Sequence, residues 1–333
     1  MDFNQHLQTE PQKYWAPPKG NDYDKQILRN PEKFSHYVFT PKLDGEWNKL
    51  MWDGTHMYML ARNRNVKGEF TDRWEKFPHI IEELKALPPH TILLGEIAFD
   101  DISKTSKDVG SVMRSLVPRA LKLQEKTPLH YFVFDCLMWN GIDLSNKSYE
   151  ERFMYNLDVN SFFNLYNSHT YSHLLSPQPV TELPEYLADY FARGGEGVVL
   201  IDRNSRYAFG SRPVRASVKI KKSMGEFEAK VIMALEPNKL YEGKEIENWK
   251  YFEDGVAVTK PYFYGWKNAI RCEYEGRTFD VASGLSDDDR EWLASLEAAE
   301  LIDRGLLYAV VSAMELTPDS VRHPYLIRLR ADI

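Results

Sequence analysis

Six short runs rich in β-branched and aromatic residues, each bounded by turn formers, fill the first two thirds of the chain. They span residues 37–42, 56–62, 91–99, 131–139, 197–201 and 217–221, a pattern that predicts strands. One clear helix interrupts them. Trp74, Phe77, Ile80, Ile81, Leu84 and Leu87 recur at helical spacing, Thr71 or Asp72 can cap the start, and Pro88-Pro89 stops it. After Lys222 the texture changes. Ser223-Met224-Gly225-Glu226 reads as a connector, and short strands follow at 229–234, 255–259, 269–274 and 278–282. A helix begins at Ser286, where Asp289 completes a capping box and Asp287 and Asp288 favour the positive end of the dipole. Trp292, Leu293, Leu296 and Ile302 form its buried side, Gly305 ends it, and strands at 306–314 and 325–329 close the chain. About five strands with one helix is the build of an OB-fold barrel. The boundary falls near residue 223, giving domains 1–222 and 223–333, and 333 residues suffice for two cores.

Composition removes several classes. No apolar run approaches the roughly 18–20 residues of a membrane span, and the polar start lacks the apolar core of a signal peptide. Cys136 and Cys272 cannot build a disulfide framework or a four-cysteine zinc site, so a reducing, cytoplasmic home is expected. A net charge of −7 argues against nucleic acid. Its patterning argues the other way: Arg203, Arg206, Arg212, Arg215, Lys219, Lys221 and Lys222 fall in one acid-free stretch beside Tyr207 and Phe209. Such a stretch is either a solvated face or a groove that faces phosphate.

Chemistry concentrates at Lys42-Leu43-Asp44-Gly45, at the end of an apolar strand. A lysine there is either part of a surface turn or a nucleophile, if nearby cations or a metal lower its pKa. Asp44 could orient the amine, and Gly45 lets backbone approach a ligand. Trp52-Asp53-Gly54 and Glu253-Asp254-Gly255 read as plain turns. In Val218-Lys219-Ile220-Lys221, alternation puts both lysines on one face and both aliphatics on the other. By the same rule Phe132 and Phe134 share a face opposite Val133 and Asp135, and Cys136 is a small buried hydrophobe. Glu96 and Glu196 sit inside apolar strands, so each needs a charged partner or a metal.

Lys42-Leu43-Asp44-Gly45, Gly95-Glu96, Phe132-Val133-Phe134-Asp135, Glu196-Gly197-Val198-Val199 and Lys219-Ile220-Lys221 occur in this order. In that order the chain resembles the covalent nucleotidyltransferases: DNA ligases, RNA ligases and capping enzymes. The segments VASGLSDDDR (281–290) and VRHPYLIRLRAD (321–332) resemble the OB domain of ATP-dependent DNA ligases, and the overall build is similar to the small bacteriophage ones. The resemblance implies an α+β fold, with an adenylation domain of antiparallel sheets and helices followed by an OB barrel. It implies ATP as the nucleotide, Mg²⁺ or Mn²⁺ as the metal, and nicked duplex DNA as the partner. It makes Lys42 the nucleophile, with Asp44, Lys219 and Lys221 in the catalytic set. Phe134 would stack on adenine, Glu96 would bind ribose, and Glu196, with Glu96, would hold the metal.

Arg62, with Ala61 where the family has serine, would meet the AMP phosphate or the nick's 5′-phosphate; Arg64 is its rival. Arg203, Arg206, Arg212 and Arg215 would contact strand backbone, and Arg330, alone or with Arg328, would orient pyrophosphate. The chain departs from the family in two places: Trp47 stands where an arginine belongs, and Ile333 replaces a closing lysine. An RNA ligase, a guanylyltransferase or an inactive nucleic-acid-binding protein would share much of this pattern. A stand-alone monomer without an obligate protein partner is expected.

Overall fold

Alternating burial builds two largely antiparallel sheets in the first part of the computed structural model, which describes residues 1–17, 23–154, 156–165, 170–222, 225–243, 249–316 and 320–331. The connector residues Ser223 and Met224 and the closing Asp332 and Ile333 lie outside the described residues. The chain divides into two units, Met1–Lys221 and Lys222–Ile333.

The strands of the first unit are β1 (Tyr37–Pro41), β2 (Glu46–Trp52), β3 (Met57–Arg64), β4 (Phe70–Asp72), β5 (Thr91–Ala98), β6 (His130–Trp139), β7 (Ile142–Asp143), β8 (Ser172–Leu174), β9 (Gln178–Pro179), β10 (Gly197–Asp202) and β11 (Ser217–Lys221). One sheet has the order β4-β3-β2-β5-β6-β7, with β8 added parallel to β6. The other has the order β11-β10-β1-β9. All six predicted runs are strands. β2 lacks the expected alternation because it is buried on both faces: Leu50 joins the core beneath the helices, and Trp47 and Met51 join the core on the opposite side.

Helices are more numerous than predicted. Tyr23–Arg29, Ser106–Met113, Val117–Gln124, Leu157–Leu165 and Leu183–Ala192 join Pro78–Leu84. They run seven to ten residues, too short for periodicity to separate them from strands and loops. The predicted cap also moves. Phe70–Asp72 is β4, and the helix starts at Pro78, whose missing N–H costs nothing in a first turn. Asp72 instead accepts the N–H of Met59 at 2.8 Å.

In the second unit, Glu226–Leu235 pairs with Ala269–Tyr274 and Leu307–Ser312; Arg277–Val281 and Tyr325–Ala331 form the edges. The fold is α+β, with this five-stranded antiparallel sheet in the OB position. Among the described residues the sheet is not a closed ladder. Its edges meet through one bridge, Ser283 to Tyr325, where the Leu326 N–H donates to the Ser283 carbonyl at 2.9 Å. The expected strand at 255–259 shortens to Val256–Ala257, which pairs with Phe252–Glu253 in a separate hairpin, and Val258 forms an isolated bridge to Leu240.

The capping box at Ser286 and Asp289 forms, and Gly305 ends the helical region at φ 70°. Between them the helix divides in two, Asp287–Trp292 and Leu296–Asp303, with Ser295 capping the second. This break turns Leu296 outward, 90% exposed, and Ala298 and Leu301 fill the core instead. Among the described residues no helix is long and apolar enough to cross a membrane.

Candidate active site

The turn after β1 is fixed from two sides. The Lys42 N–H donates to the Gly197 carbonyl at 2.8 Å, and Gly197, at φ +150°, lies where a Cβ would come within 2.1 Å of the Ile220 carbonyl. A Cβ at Gly45 would meet the Ile97 carbonyl at 2.4 Å and Glu96 Cγ at 2.7 Å. Only glycine lets the two chains approach closely enough to bring Glu96 beside the turn.

A cavity of about 580 Å³ opens between the two sheets. Lys42, Arg62, Glu96, Phe134 and Lys219 line it, although they arise from five different places in the chain. Alternation explains the selection. On β5, Ile92, Leu94 and Glu96 share one face; on β11, Val218 and Ile220 are buried in a core while Lys219 faces the cavity. Lys42, 16% exposed, pairs with one carboxylate oxygen of Glu196, 6% exposed, and Lys221 reaches the other oxygen at 3.1 Å. Glu196 and Lys221 therefore stand behind the lysine and are not part of the cavity lining. Asp44 lies toward Tyr190, whose phenol is pushed up to about 12 by burial first, then by Tyr186 and Glu196, with a smaller contribution from Asp44. The Lys42 amine contacts Glu196.

The electrostatics follow from enclosure. Loss of solvation pushes the Glu96 carboxyl up to about 8, against the pull of Lys42, Lys219 and Arg62 and with a push from Glu196. Loss of solvation also lowers Lys219 to about 8, helped by Lys42, Arg62 and Lys221 and opposed by Glu96. At neutral pH the cavity therefore holds a protonated carboxyl and a charged lysine. Both lose their protons as pH rises through about 8.

Strand β6 departs from simple alternation. Leu94 pairs with Asp135 but Gly95 pairs with Val133, so Phe134 is an extra bulged residue; a second shift follows near Leu137. The buried face accordingly reads Tyr131, Val133, Cys136 and Trp139. Asp135, expected opposite Phe134, joins it on the cavity wall. Phe132 is committed elsewhere, stacked on His173 at 4.9 Å. Asp135 is held bidentately by Arg152, Nε to Oδ1 at 2.7 Å and Nη2 to Oδ2 at 2.9 Å, while Nη1 of Arg152 donates to the Lys147 and Ser205 carbonyls. Burial lifts the Asp135 carboxyl and Arg152 restrains the rise.

Other residues reach the cavity without a local signal in the sequence. Arg73 pairs there with Glu46, Arg114 stands at the wall, and Gln12 and Tyr14 arrive from the N-terminal arm. Trp47, 8% exposed, is an apolar wall residue directly across from Glu96. Of the two candidate arginines, Arg62 lines the cavity; Arg64 binds the arm through Glu10 at 2.6 Å and the Gln8 carbonyl at 2.8 Å. The other arginines predicted for the site lie outside the lining. Arg203 pairs with Glu150 at 3.5 Å; Arg206, Arg212 and Arg215 are exposed, the last 4.6 Å from the Tyr23 ring. Arg330 belongs to the second unit, where it pairs with Glu228 at 2.7 Å. Among the described residues no three His, Cys, Asp or Glu side chains form a metal cage. Two carboxylates suit a magnesium ion whose shell is completed by substrate phosphates and water, and Glu96 and Glu196 would fit that role once Glu96 gives up its proton and Glu196 exchanges a lysine contact.

Residues 22–221 match the family model described as ATP dependent DNA ligase domain. The curated protein named Probable DNA ligase, of Koribacter versatilis (strain Ellin345), is 27% identical, the match covering 84% of this chain and 48% of that protein. The chain thus spans about half the length of the curated relative it matches. Two solved structures share the fold. A Lig E DNA ligase, described as DNA binding with a minimal scaffold, has a TM-score of 0.62 at 18% identity, covering 96% of this chain and 99% of its own. Pmar-Lig_Pre has the same TM-score and identity, covering 91% of this chain and 66% of its own.

Proposed function

Because this chain belongs to the family of ATP-dependent DNA ligase domains, we propose that it seals nicks in duplex DNA, with ATP as substrate and Lys42 as the residue that carries AMP. The observation behind this reading is the meeting on one cavity of Lys42, Glu96, Arg62 and Lys219 with the Phe134 ring.

In this scheme Lys42 gives up a proton, for which Glu196 is the acceptor in contact. Its amine then forms a P–N bond to the α-phosphorus of ATP while the P–O bond to pyrophosphate breaks. Arg62 and Lys219 face the phosphates, where fixed cations stabilise developing charge. Phe134 stacks on adenine, and Glu96 contacts ribose. Glu196 and Glu96, each in its deprotonated form, would hold a magnesium ion, which would neutralise phosphate charge. AMP passes to the 5′-phosphate of the nick, and the 3′-hydroxyl displaces AMP as the strand closes. Splitting the condensation into transfers is the logic of covalent catalysis.

We assign the transfer chemistry to the first unit and duplex contact to both. Arg206, Arg212 and Arg215 are exposed and available to strand backbone, so binding is salt-sensitive and largely sequence-independent. Arg203 can join them by releasing Glu150, and Arg330 can meet pyrophosphate by releasing Glu228. The protein works as a monomer in the cytoplasm.

Incubation with α-labelled ATP and Mg²⁺ labels the wild type and not Lys42→Ala; label on the variant rejects the nucleophile. Labelling by GTP instead indicates a capping-type enzyme, and preference for nicked RNA over nicked DNA an RNA ligase. No enzyme–nucleotide adduct with either nucleotide points to an inactive binding protein.

A further inference from the structure

The N-terminal arm reaches the cavity from outside the segment that matches the family model, which begins at residue 22. It is secured by backbone contacts along its length. The Lys13 N–H donates to the Ser211 carbonyl at 2.8 Å, the Trp15 N–H donates to the Ser217 carbonyl at 2.9 Å, and Trp15 bridges in parallel to Val218 of β11. Gln12 is held at both ends: its N–H donates to the Tyr207 hydroxyl at 3.0 Å, and its Oε1 accepts the Ala208 N–H at 2.8 Å. In extended backbone, alternate side chains face opposite ways. Trp15 therefore turns to a core, edge-on to Tyr23, while Gln12 and Tyr14 face the cavity.

Tyr14 meets two cations there. The Arg62 guanidinium carbon lies 5.7 Å from its ring centroid. The Lys219 ammonium lies over the ring face, 3.8 Å from the centroid. Arg62 and Lys219 repel one another, so without a shared partner each favours a rotamer that separates them. The negative ring face attracts both at once. The cavity keeps its volume of about 580 Å³ with the ring in place, so Tyr14 is wall and not plug.

We propose that Tyr14 is a positioning residue for the nucleotide phosphates, holding the Arg62 guanidinium and the Lys219 ammonium side by side before the substrate arrives. The inference deepens the reading of this cavity as a nucleotide site and rests on it. It places part of the phosphate pocket in an arm that the family match does not include.

The test is label uptake from α-labelled ATP against ATP concentration for wild type, Tyr14→Phe, Tyr14→Leu and the exposed control Lys13→Ala. Tyr14→Phe keeps the ring face and should leave both half-saturation and limiting rate within about twofold of wild type. Tyr14→Leu loses both attractions and should raise half-saturation more than about tenfold and slow the limiting rate as well. Lys13→Ala should match wild type. Wild-type half-saturation and rate in Tyr14→Leu would overturn the proposal.

Calorimetric binding of ATP to Lys42→Ala, with and without Tyr14→Leu, separates this proposal from the reading beneath it. Tyr14-dependent ATP binding together with no labelling of the wild type supports the positioning role and rejects the ligase mechanism. Equal binding with and without Tyr14 rejects the positioning role alone. No ATP binding to Lys42→Ala and no labelling of wild type reject both.

Discussion

Two buried ion pairs meet the same cavity and are built to opposite specifications. Arg152 and Asp135 are mutually bidentate, and the remaining Arg152 donors reach carbonyls. Four of the five donors on that arginine are used, so the pair is a fixed part of the wall. Lys42 and Glu196 are left open by comparison. Glu196 is divided between Lys42 and Lys221, and Lys42 faces a cavity that also holds Lys219, Arg62 and a protonated Glu96. A saturated pair holds a site in shape; a shared one can exchange partners when substrate charge arrives. The same contrast separates Arg152 from Arg62, which among the described residues meets the Gln12 carbonyl at 3.4 Å and the Tyr14 ring at 5.7 Å.

Substitutions can break or sharpen this contrast. Arg152→Met strands the buried Asp135 and should destabilise the protein by about 3–5 kcal/mol, read by denaturant unfolding. Adding Asp135→Leu should recover most of that loss. If the single change costs no more than a surface pair, the wall is not held as described. Glu196→Gln keeps the volume but removes the charge shared by Lys42 and Lys221. Label uptake should slow about ten- to a hundredfold, equivalent to roughly 1.4–2.7 kcal/mol in the barrier, while the unfolding midpoint moves little.

The third prediction concerns pH. Glu96 binds its proton more tightly folded, about 8, than in an unfolded chain at 4.5. The folded state therefore holds the extra proton between those values, and this group's contribution to stability declines as pH rises from about 4.5 toward 8. Glu96→Gln cannot ionise, so its thermal midpoint should gain on wild type progressively through that window and level off above it. A constant difference would show that the carboxyl is ionised already. At the small end, Arg193→Ala breaks an exposed pair with Asp189 at i,i+4 and should change stability by less than about 0.5 kcal/mol.

Much of this was legible in the sequence where the signal is local. The alternation of β11 correctly separates Lys219 and Lys221 from Val218 and Ile220, and the turn chemistry at Asp53-Gly54 and Asp254-Gly255 is observed. Legibility failed where long-range contacts override a local rule. The register shift at Phe134 in β6 carries Asp135 to the face of Phe134, and no residue in 130–139 announces it. Leu296 fits the helical stripe by spacing, but Ser295 restarts the helix and turns it outward. β2 escaped notice because neighbours cover both of its faces.

The order of the chemically active residues, their strand faces and the glycines that permit close approach are properties of neighbouring residues, so the linear chain specifies them. Which charges share a pocket was decided by folding. Asp135 finds Arg152, Glu46 finds Arg73, and Arg62 and Lys219 find Tyr14 only after strands from distant positions pair. Coulomb and desolvation energies depend on separation and enclosure in space, and sequence order records neither.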